Sequence, residues 1–302
     1  MHGRIKRSFA VLIALATTVA LTVGPAGTGM AASEKGSTAV PSLRAYGITG
    51  DGKLMGTFLT NDSGRLDWVR RFSGLVGDTA AIGLDFRPKD GKLYAVGNKG
   101  GIYTITAMPT GDGPVIITKV SQLTVGLRGT YFGVDFNPAA DRLRVISDAG
   151  QNLRHNLDAH TTDTDTNLST GTCDPVATGV TAAAYTNNDN NAATATTLFD
   201  VNTATNQLVI QSPANLGLLA PVGALGQTVN VNAGLDVYSD LTNGKTVSNS
   251  AFATFIVTKE VNGVKETLNT LNSVDLLTGA ATQVGEPFPL DITDIALALD
   301  TH

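Results

Sequence analysis

The sequence YFGVDFNPAADRLRVISDAGQNLRHNLD, residues 131–158, occurs in this chain a second time in a closely related form. Fifty residues upstream, AIGLDFRPKDGKLYAVGNKGGIYTIT, residues 81–106, aligns with it without a gap. Six aligned pairs are identical: Gly83/Gly133, Asp85/Asp135, Phe86/Phe136, Pro88/Pro138, Leu93/Leu143 and Gly100/Gly150. Each copy consists of three short apolar strands separated by a Pro-marked turn and a Gly-marked turn. A sheet unit that recurs after about fifty residues predicts a β-propeller or a related array.

The same strand pattern covers the rest of the chain. The first set, 42–49, 53–60 and 66–73, matches the second to fourth strands of the unit and lacks the first, and residues 292–299, ITDIALAL, have the pattern of that missing strand. The other predicted strands are 80–87, 92–96, 101–106, 115–121, 131–137, 142–147, 152–157, one within 161–179, 181–186, 196–201, 207–211, 218–225, 233–238, 251–258, 268–275 and 281–284. We therefore predict an all-β propeller of five four-stranded blades, closed by the C-terminal strand so that neither end leaves an open edge. A β-sandwich is the alternative, but it does not explain the repeat.

The N-terminal residues have the composition of an export signal. Three basic residues precede an apolar stretch over 8–23, and small residues around Ala31 offer a cleavage site. The apolar stretch is shorter than the ~20 residues that span a bilayer. The sequence thus predicts a signal peptide over 1–32, a linker over 33–41 and one propeller domain over 42–302, secreted and free of the membrane after cleavage.

Charge and cysteine content narrow the possible partners. Only 16% of the residues are charged and the net charge is −5, so neither nucleic acid nor an anionic membrane is an expected partner. The single cysteine, Cys173, cannot form an internal disulfide, and it is interpreted as a buried apolar residue rather than a nucleophile. We expect a monomer.

Two long motifs resemble a known family. They are FGVDFNPAADRLRVISDAGQNLR, residues 132–154, and VTAAAYTNNDNNAATATTLFDVNTATNQLVIQSPANLGLLAPVGALG, residues 180–226. The chain is similar from residue 43 to residue 299 to exported bacterial proteins grouped as domain of unknown function 4394. The resemblance implies an exported, propeller-like protein, and it implies no activity.

The first candidate site is a pair of arginines. Arg144 and Arg154 stand where the sister copy has Tyr94 and Thr104, and a hairpin would place Arg144 opposite Arg154 or His155. Facing cations repel unless an anion compensates. Under the structural interpretation, which we prefer, the anion is one of three aspartates: Asp135, Asp141 or Asp148. Under the functional interpretation, the arginines hold a carboxylate or phosphate group of a ligand.

The second candidate site lies on the predicted innermost strands. These strands align a small residue in one column and Asp85, Asp135, Ala184, Asp236 and Ala298 in the next but one. Asp85, Asp135 and Asp236 would tie blades together through backbone hydrogen bonds, which is the interpretation we favour. They would alternatively coordinate Ca²⁺ or act as the carboxylate pair of a glycosidase.

A third and weaker match is to a calcium loop. Asp163, Asp165, Asn167 and Asp174 have the spacing of such a loop, but Leu168 replaces its glycine and Asp174 its glutamate. Without further catalytic motifs, the sequence favours a non-catalytic module without a cofactor that binds a small polar ligand, a glycan or a surface protein. A secreted hydrolase of the glycosidase type is the alternative.

Overall fold

The computed structural model describes residues 41–301, except 110, 172, 173, 192 and 262. The predicted signal peptide, all but the last residue of the predicted linker, and Cys173 lie outside the described residues. Among the residues that are described, no helix has the length and hydropathy needed to cross a membrane.

The described chain consists of β-strands, paired antiparallel with one exception, and one 3-10 helix, Ala214–Leu216. The first eleven strands are Arg44–Thr49 (β1), Leu54–Leu59 (β2), Trp68–Ser73 (β3), Ala81–Arg87 (β4), Lys92–Gly97 (β5), Gly101–Ala107 (β6), Val115–Gln122 (β7), Phe132–Asn137 (β8), Arg142–Ser147 (β9), Asn152–Asn156 (β10) and Thr161–Thr164 (β11). The remaining nine are Val180–Tyr185 (β12), Leu198–Asn202 (β13), Gln207–Gln211 (β14), Leu219–Ala224 (β15), Ala233–Thr242 (β16), Lys245–Val261 (β17), Val264–Val274 (β18), Ala281–Val284 (β19) and Ile292–Leu297 (β20). Each predicted strand has a counterpart, and outside the last group the bounds lie within a few residues of those predicted.

These strands form one eight-stranded sheet, β20-β1-β2-β3-β7-β6-β5-β4, and three four-stranded sheets. The predicted pairing of the C-terminal strand with the first set is confirmed, since β20 pairs antiparallel with β1. The eight-stranded sheet arises because β3 and β7 pair in parallel through only two residue pairs, Phe72–Val115 and Ser73–Ile116. The sheets therefore number four, although the strands fall into five antiparallel groups of four.

The five groups follow one another in a cycle. Contacts link β4 to β8, β8 to β12, β12 to β16, β16 to β20 and β20 back to β4. Five apolar clusters fill the spaces between successive groups, and their most buried members include Tyr103, Phe136, Ile146, Phe255 and Phe58. This is a propeller-like arrangement, with its innermost strands packed around a common centre.

The strands of the last group are longer than the sequence pattern indicated. β17 has 17 residues where eight were predicted, and it forms extended hairpins with β16 and β18. Asn243 and Gly244 both have positive φ, at 53° and 70°, as a type I′ hairpin turn requires. The Asn-Gly pair at 243–244 is the sequence signal for this hairpin. The prediction missed the outer part of the hairpin because the strand residues on either side of this pair are mostly polar.

Truncation tests the pairing of the two chain ends. Removing residues 290–302 takes β20 away from β1 and uncovers the buried side chains of Ala45, Phe58 and Phe252, which belong to the same apolar cluster as the side chains of β20. We expect aggregation or loss of cooperative unfolding in denaturant melts. A control that lacks only residues 301–302 should unfold like the intact protein. A truncated protein that remains soluble with an unchanged melting temperature would contradict this topology.

Candidate functional site

The innermost strands approach so closely that particular positions must be glycine. A Cβ atom on Gly133 would lie 2.6 Å from the backbone nitrogen of Ala183 on the next inner strand. On Gly83 it would lie 2.6 Å from Cβ of Val134, and on Gly234 it would lie 2.6 Å from Cα of Asp294. The predicted column of small residues is therefore present on these strands, and it brings the side chains two positions later towards one another.

Three of these side chains are carboxylates that accept hydrogen bonds from the following inner strand. Phe136 donates its N–H to Asp85 at 2.6 Å, and Tyr185 donates to Asp135 at 3.0 Å. Leu297 donates its N–H to Asp236 at 2.5 Å. These are the backbone hydrogen bonds that the structural interpretation of the aspartates expects.

The predicted alignment of the last inner strand is wrong by two residues. Leu297 occupies the place that Phe136 and Tyr185 have in their strands, so the residue aligned with Asp85 is Ala296 and not Ala298. The shift places Asp294 in the column of small residues, where its carboxylate accepts the N–H of Leu84 at 2.8 Å. A pattern search that expects a small residue at this position has no reason to align an aspartate there.

Asp85, Asp135, Asp236 and Asp294, which we call the axial carboxylates, are almost fully buried, with exposures of 3–5%. Burial and the charge of Asp236 raise the pKa of Asp85 well above its usual value. Burial also raises the pKa of Asp135 and of Asp294 well above normal, and it raises the pKa of Asp236 to about 7. Because these groups repel one another when ionised, the cluster holds protons or attracts a cation.

The spacing of three axial carboxylates suits a hard cation. Asp85, Asp135 and Asp236 each offer one oxygen, and these oxygens lie within 4.8 Å of one another. Calcium binds oxygen ligands at about 2.3–2.6 Å, so ligands on opposite sides of the ion are about 5 Å apart. Asp135 has only one of its oxygens in a hydrogen bond to the described residues, to Tyr185. The residues therefore fit a calcium ion, and they equally fit a proton-sharing cluster.

A cavity opens at the end of the molecule where the inner strands begin. It has a volume of about 300 Å³, and we call it the mouth cavity. Its lining residues are Ile48, Thr49, Gly50, Ala81, Ile82, Thr130, Tyr131, Phe132, Asn232, Thr293 and Asp294. Asp294 thus belongs both to the cavity lining and to the axial carboxylates. A second cavity of about 370 Å³ shares Tyr131 with it and is lined also by Asp148, Thr178, Thr203 and Asn230, so the two adjoin.

The predicted arginine site is an internal network. Arg144 lies directly opposite Arg154, the first of the two predicted positions, and is 2% exposed. Its guanidinium donates to Asp165 at 2.6 Å, to Asn152 at 2.7 Å and to Asn215 at 2.8 Å, and its Nε donates to the Tyr185 hydroxyl at 3.3 Å. These bonds occupy four of the five N–H groups of a guanidinium and favour the structural interpretation.

The predicted anionic partners of the two arginines are wrong. Arg144 and Arg154 share Asp165, and Arg154 also pairs with Asp163 at 3.2 Å. The three predicted partners bind elsewhere: Asp135 accepts from Tyr185, Asp141 pairs with Arg87, and Asp148 accepts the N–H of Thr130. The predicted partners are wrong because Asp165 follows β11 in an irregular stretch, and no local sequence pattern specifies how that stretch folds.

The same contacts account for the calcium-loop residues. Asp163 and Asp165 face the two arginines, Asn167 accepts from Arg128 at 3.2 Å, and Asp174 accepts from the hydroxyl of Thr170 at 2.7 Å. Each of the four side chains thus has a protein partner, either an arginine side chain or a hydroxyl group. Nothing in these contacts favours a metal ion at this loop.

Two features were missed at the level of sequence, a cluster of polar side chains and a single buried aspartate. The hydroxyl of Ser121 lies 2.8 Å from Nε2 of His155 and 2.9 Å from Nδ1 of His160, and Nδ1 of His155 lies 2.9 Å from Oγ1 of Thr162. Burial lowers the pKa of His155 to about 4, so this histidine is a poor base at neutral pH. The four residues come from separate strands and turns, and no spacing in the sequence relates them.

The second missed feature is Asp200 on β13, which is fully buried. Neither of its carboxylate oxygens has a hydrogen-bond partner among the described residues. Burial raises its pKa well above normal, and the charge of Arg144 opposes that rise. In the sequence LFDVN, this residue stands between Phe199 and Val201, and no motif marks it as a candidate site residue.

Fold and site together define a propeller-like all-β protein with buried carboxylates at its centre and a polar cavity above them. The chain belongs to the family described as domain of unknown function DUF4394, whose model matches residues 54–296. No curated protein matches the sequence.

Several solved structures have a similar fold at low identity. The WD40 domain of Toxoplasma gondii coronin is 13% identical, with a TM-score of 0.41, over 78% of this chain and 55% of that chain, so this chain spans about half its length. A structure from the nidogen/laminin complex is 11% identical, with a TM-score of 0.43, over 86% of this chain and 99% of that chain. Glutaminyl cyclase from Myxococcus xanthus is 12% identical, with a TM-score of 0.42, over 78% of this chain and 97% of that chain.

Replacement of the arginines tests the network. Arg144→Tyr introduces the residue of the sister copy and leaves the buried Asp165 with only Arg154, so we expect a loss of about 3–5 kcal/mol in the free energy of unfolding. Arg154→Thr is the matched control, and its loss should be smaller because Arg154 is partly exposed. Denaturant melts with and without citrate measure both. A stabilised Arg144→Tyr variant, together with citrate stabilisation of the wild type only, would favour an anion site instead.

The protonation of the axial carboxylates gives a pH dependence of defined sign. A carboxyl whose pKa is raised by folding stabilises the protein at low pH, and that contribution is lost as the pH rises through the folded pKa, which is about 7 for Asp236. Asp236→Asn removes this titration at a cost of about 1–3 kcal/mol in hydrogen bonding. The stability difference between wild type and variant should therefore shrink from pH 4 to pH 8. A difference that grows with pH would contradict the raised pKa.

Proposed function

We propose that the chain is an exported five-bladed β-propeller that binds a small polar ligand at the mouth cavity and performs no chemistry on it. Each antiparallel group of four strands would be one blade. The two blades that share a sheet are joined by only two residue pairs, which is a local contact between outer strands rather than a merging of blades. The cyclic order of contacts between the innermost strands supports a ring of five.

Export is proposed from the N-terminal sequence. The basic start, the apolar stretch over 8–23 and the small residues near Ala31 have the order of a signal peptide. We expect a secreted monomer with neither a nucleic acid nor a membrane as partner, since the net charge is −5.

The mouth cavity is the observation that carries the binding function. Its volume of about 300 Å³ is at the lower end of the range for small-molecule sites, about 300–1,000 Å³. Its lining combines apolar Ile48, Ile82 and Phe132 with the polar side chains of Thr130 and Asn232. A concave lining with a few polar groups favours a small ligand, such as a sugar unit or polyol, over a flat protein partner.

The geometry of the axial carboxylates argues against the glycosidase alternative. Catalytic carboxylates flank the glycosidic bond at separations of about 5–9.5 Å. The oxygens of Asp85, Asp135 and Asp236 lie within 4.8 Å of one another, and both oxygens of Asp85 and of Asp236 accept backbone N–H groups. A sugar ring cannot enter between groups that are this close and this deeply buried. These carboxylates hold the inner strands together and set the charge beneath the cavity.

A thermal-shift screen of the purified protein tests the proposal. Glycans, polyols, amines, organic anions and divalent ions are added singly, and a ligand at 100 times its dissociation constant should stabilise the protein by about 2.7 kcal/mol. Thr130→Trp fills the mouth cavity from its exposed rim, so it should abolish the effect of a true ligand. Val247→Trp alters an exposed residue outside that lining and serves as the control. Stabilisation that persists in Thr130→Trp would place the ligand elsewhere and contradict the proposal.

A further inference from the structure

The charge around the mouth cavity has a single sign. Of the described residues that line it, the only ionisable ones are Asp294 and Tyr131, and no lysine, arginine or histidine is among them. The adjoining cavity contains Asp148 and, among its described lining residues, again no basic side chain. An entering ligand therefore meets acceptor oxygens and carboxylates without any compensating cation.

The floor of the mouth cavity continues into the axial carboxylates. Asp294 lines the cavity, and its charge acts on both Asp85 and Asp135. These carboxylates are 3–5% exposed, and the bonds that they accept come from backbone N–H groups and not from basic side chains. Backbone amides give the cluster no cationic partner. The protons that the raised pKa values retain would therefore be released when a cation takes their place.

This arrangement discriminates between ligands by charge. Negative groups that are shielded from water act on a nearby charge more strongly than the same groups in bulk solvent, because the surrounding dielectric constant is lower. An anion in the mouth cavity would find no cationic partner and would be repelled by every carboxylate that ionises, and a neutral ligand would gain only hydrogen bonds. A cation would gain both, and narrow clefts with charge of one sign concentrate ligands of the opposite sign.

We infer that the mouth cavity takes a small organic cation, an ammonium compound that also carries hydroxyl groups. The ammonium group would lie over Asp294, and the hydroxyl groups would bond with Thr130, Thr293 and Asn232 at the wall. This inference rests on the proposed ligand site and specifies the chemical class of its ligand.

Three six-carbon polyols that differ in the group at one terminal carbon, and hence in charge, test the inference. Glucamine is a six-carbon polyol with an ammonium group, sorbitol is its neutral counterpart and gluconate is the anion. Calorimetric titration at neutral pH and low ionic strength should show glucamine binding at least about tenfold more tightly than sorbitol, with no measurable binding of gluconate. Added salt should weaken the glucamine complex and leave the sorbitol complex unchanged.

Two variants of equal charge locate the effect. Asn232→Lys places a cation at the wall of the mouth cavity and should abolish glucamine binding through repulsion. Val247→Lys changes the net charge equally at an exposed residue outside the lining and should leave binding unchanged. Asp294→Asn should reduce the preference for glucamine over sorbitol, and its melting curve reports whether the variant folds. Equal losses in Asn232→Lys and Val247→Lys would overturn the inference, since the effect would then belong to net charge alone.

The remaining outcomes separate this inference from the proposed function. Sorbitol or gluconate binding as tightly as glucamine, with sensitivity to Thr130→Trp, would overturn the cation preference and leave the ligand site intact. Calcium chloride is added in a parallel measurement, to compare an inorganic cation with the organic one. Stabilisation by calcium with no binding of glucamine would overturn the inference, because a metal ion would then meet the negative charge. If no compound in the screen shows an effect that Thr130→Trp removes, the proposed ligand site itself fails.

Discussion

The hydrogen bonds from backbone N–H groups to buried aspartates are the constraint on which the rest of the structure depends. Asp85 on β4 binds β8, and Asp135 on β8 binds β12. Asp236 on β16 binds β20, and Asp294 on β20 binds β4. Only the step from β12 to β16 lacks a carboxylate, because Ala184 stands there. Side chains thus link inner strands that make no sheet hydrogen bonds with one another.

This linkage has an electrostatic consequence. Tight packing at the glycine positions brings the carboxylates within a few ångströms of one another, and burial prevents water from screening their repulsion. The repulsion between these carboxylates can be reduced by protons, by a hard cation, or by a positively charged ligand group in the cavity above. The same residues that join the strands therefore determine which ligands the cavity favours, and stability and recognition share one set of side chains.

The sequence predicted the repeat because glycine, aspartate and proline recur wherever the inner strand is crowded and turns sharply. It also predicted that Arg144 would face Arg154 or its neighbour His155, and the first of these is found, since pairing in a hairpin depends only on local register. It failed where contacts are long-range. Asp294 breaks the pattern of small residues because the neighbouring Gly83 and Gly234 leave it room, and Asp165 reaches Arg144 from an irregular stretch. The contact of Ser121 with two histidines depends on how two strand groups pack, which strand patterns do not encode.

Direct titration of the aspartate carboxyl carbons by NMR tests the central claim, that burial and mutual repulsion dominate at the centre of the molecule. The account predicts that the carboxyls of Asp85, Asp135, Asp236 and Asp294 titrate well above the ordinary range, with Asp236 near pH 7, while the exposed, ion-paired Asp158 titrates near pH 2. Ordinary titration of all four buried carboxyls near pH 4, in protein stripped of metal ions by a chelator, would contradict it.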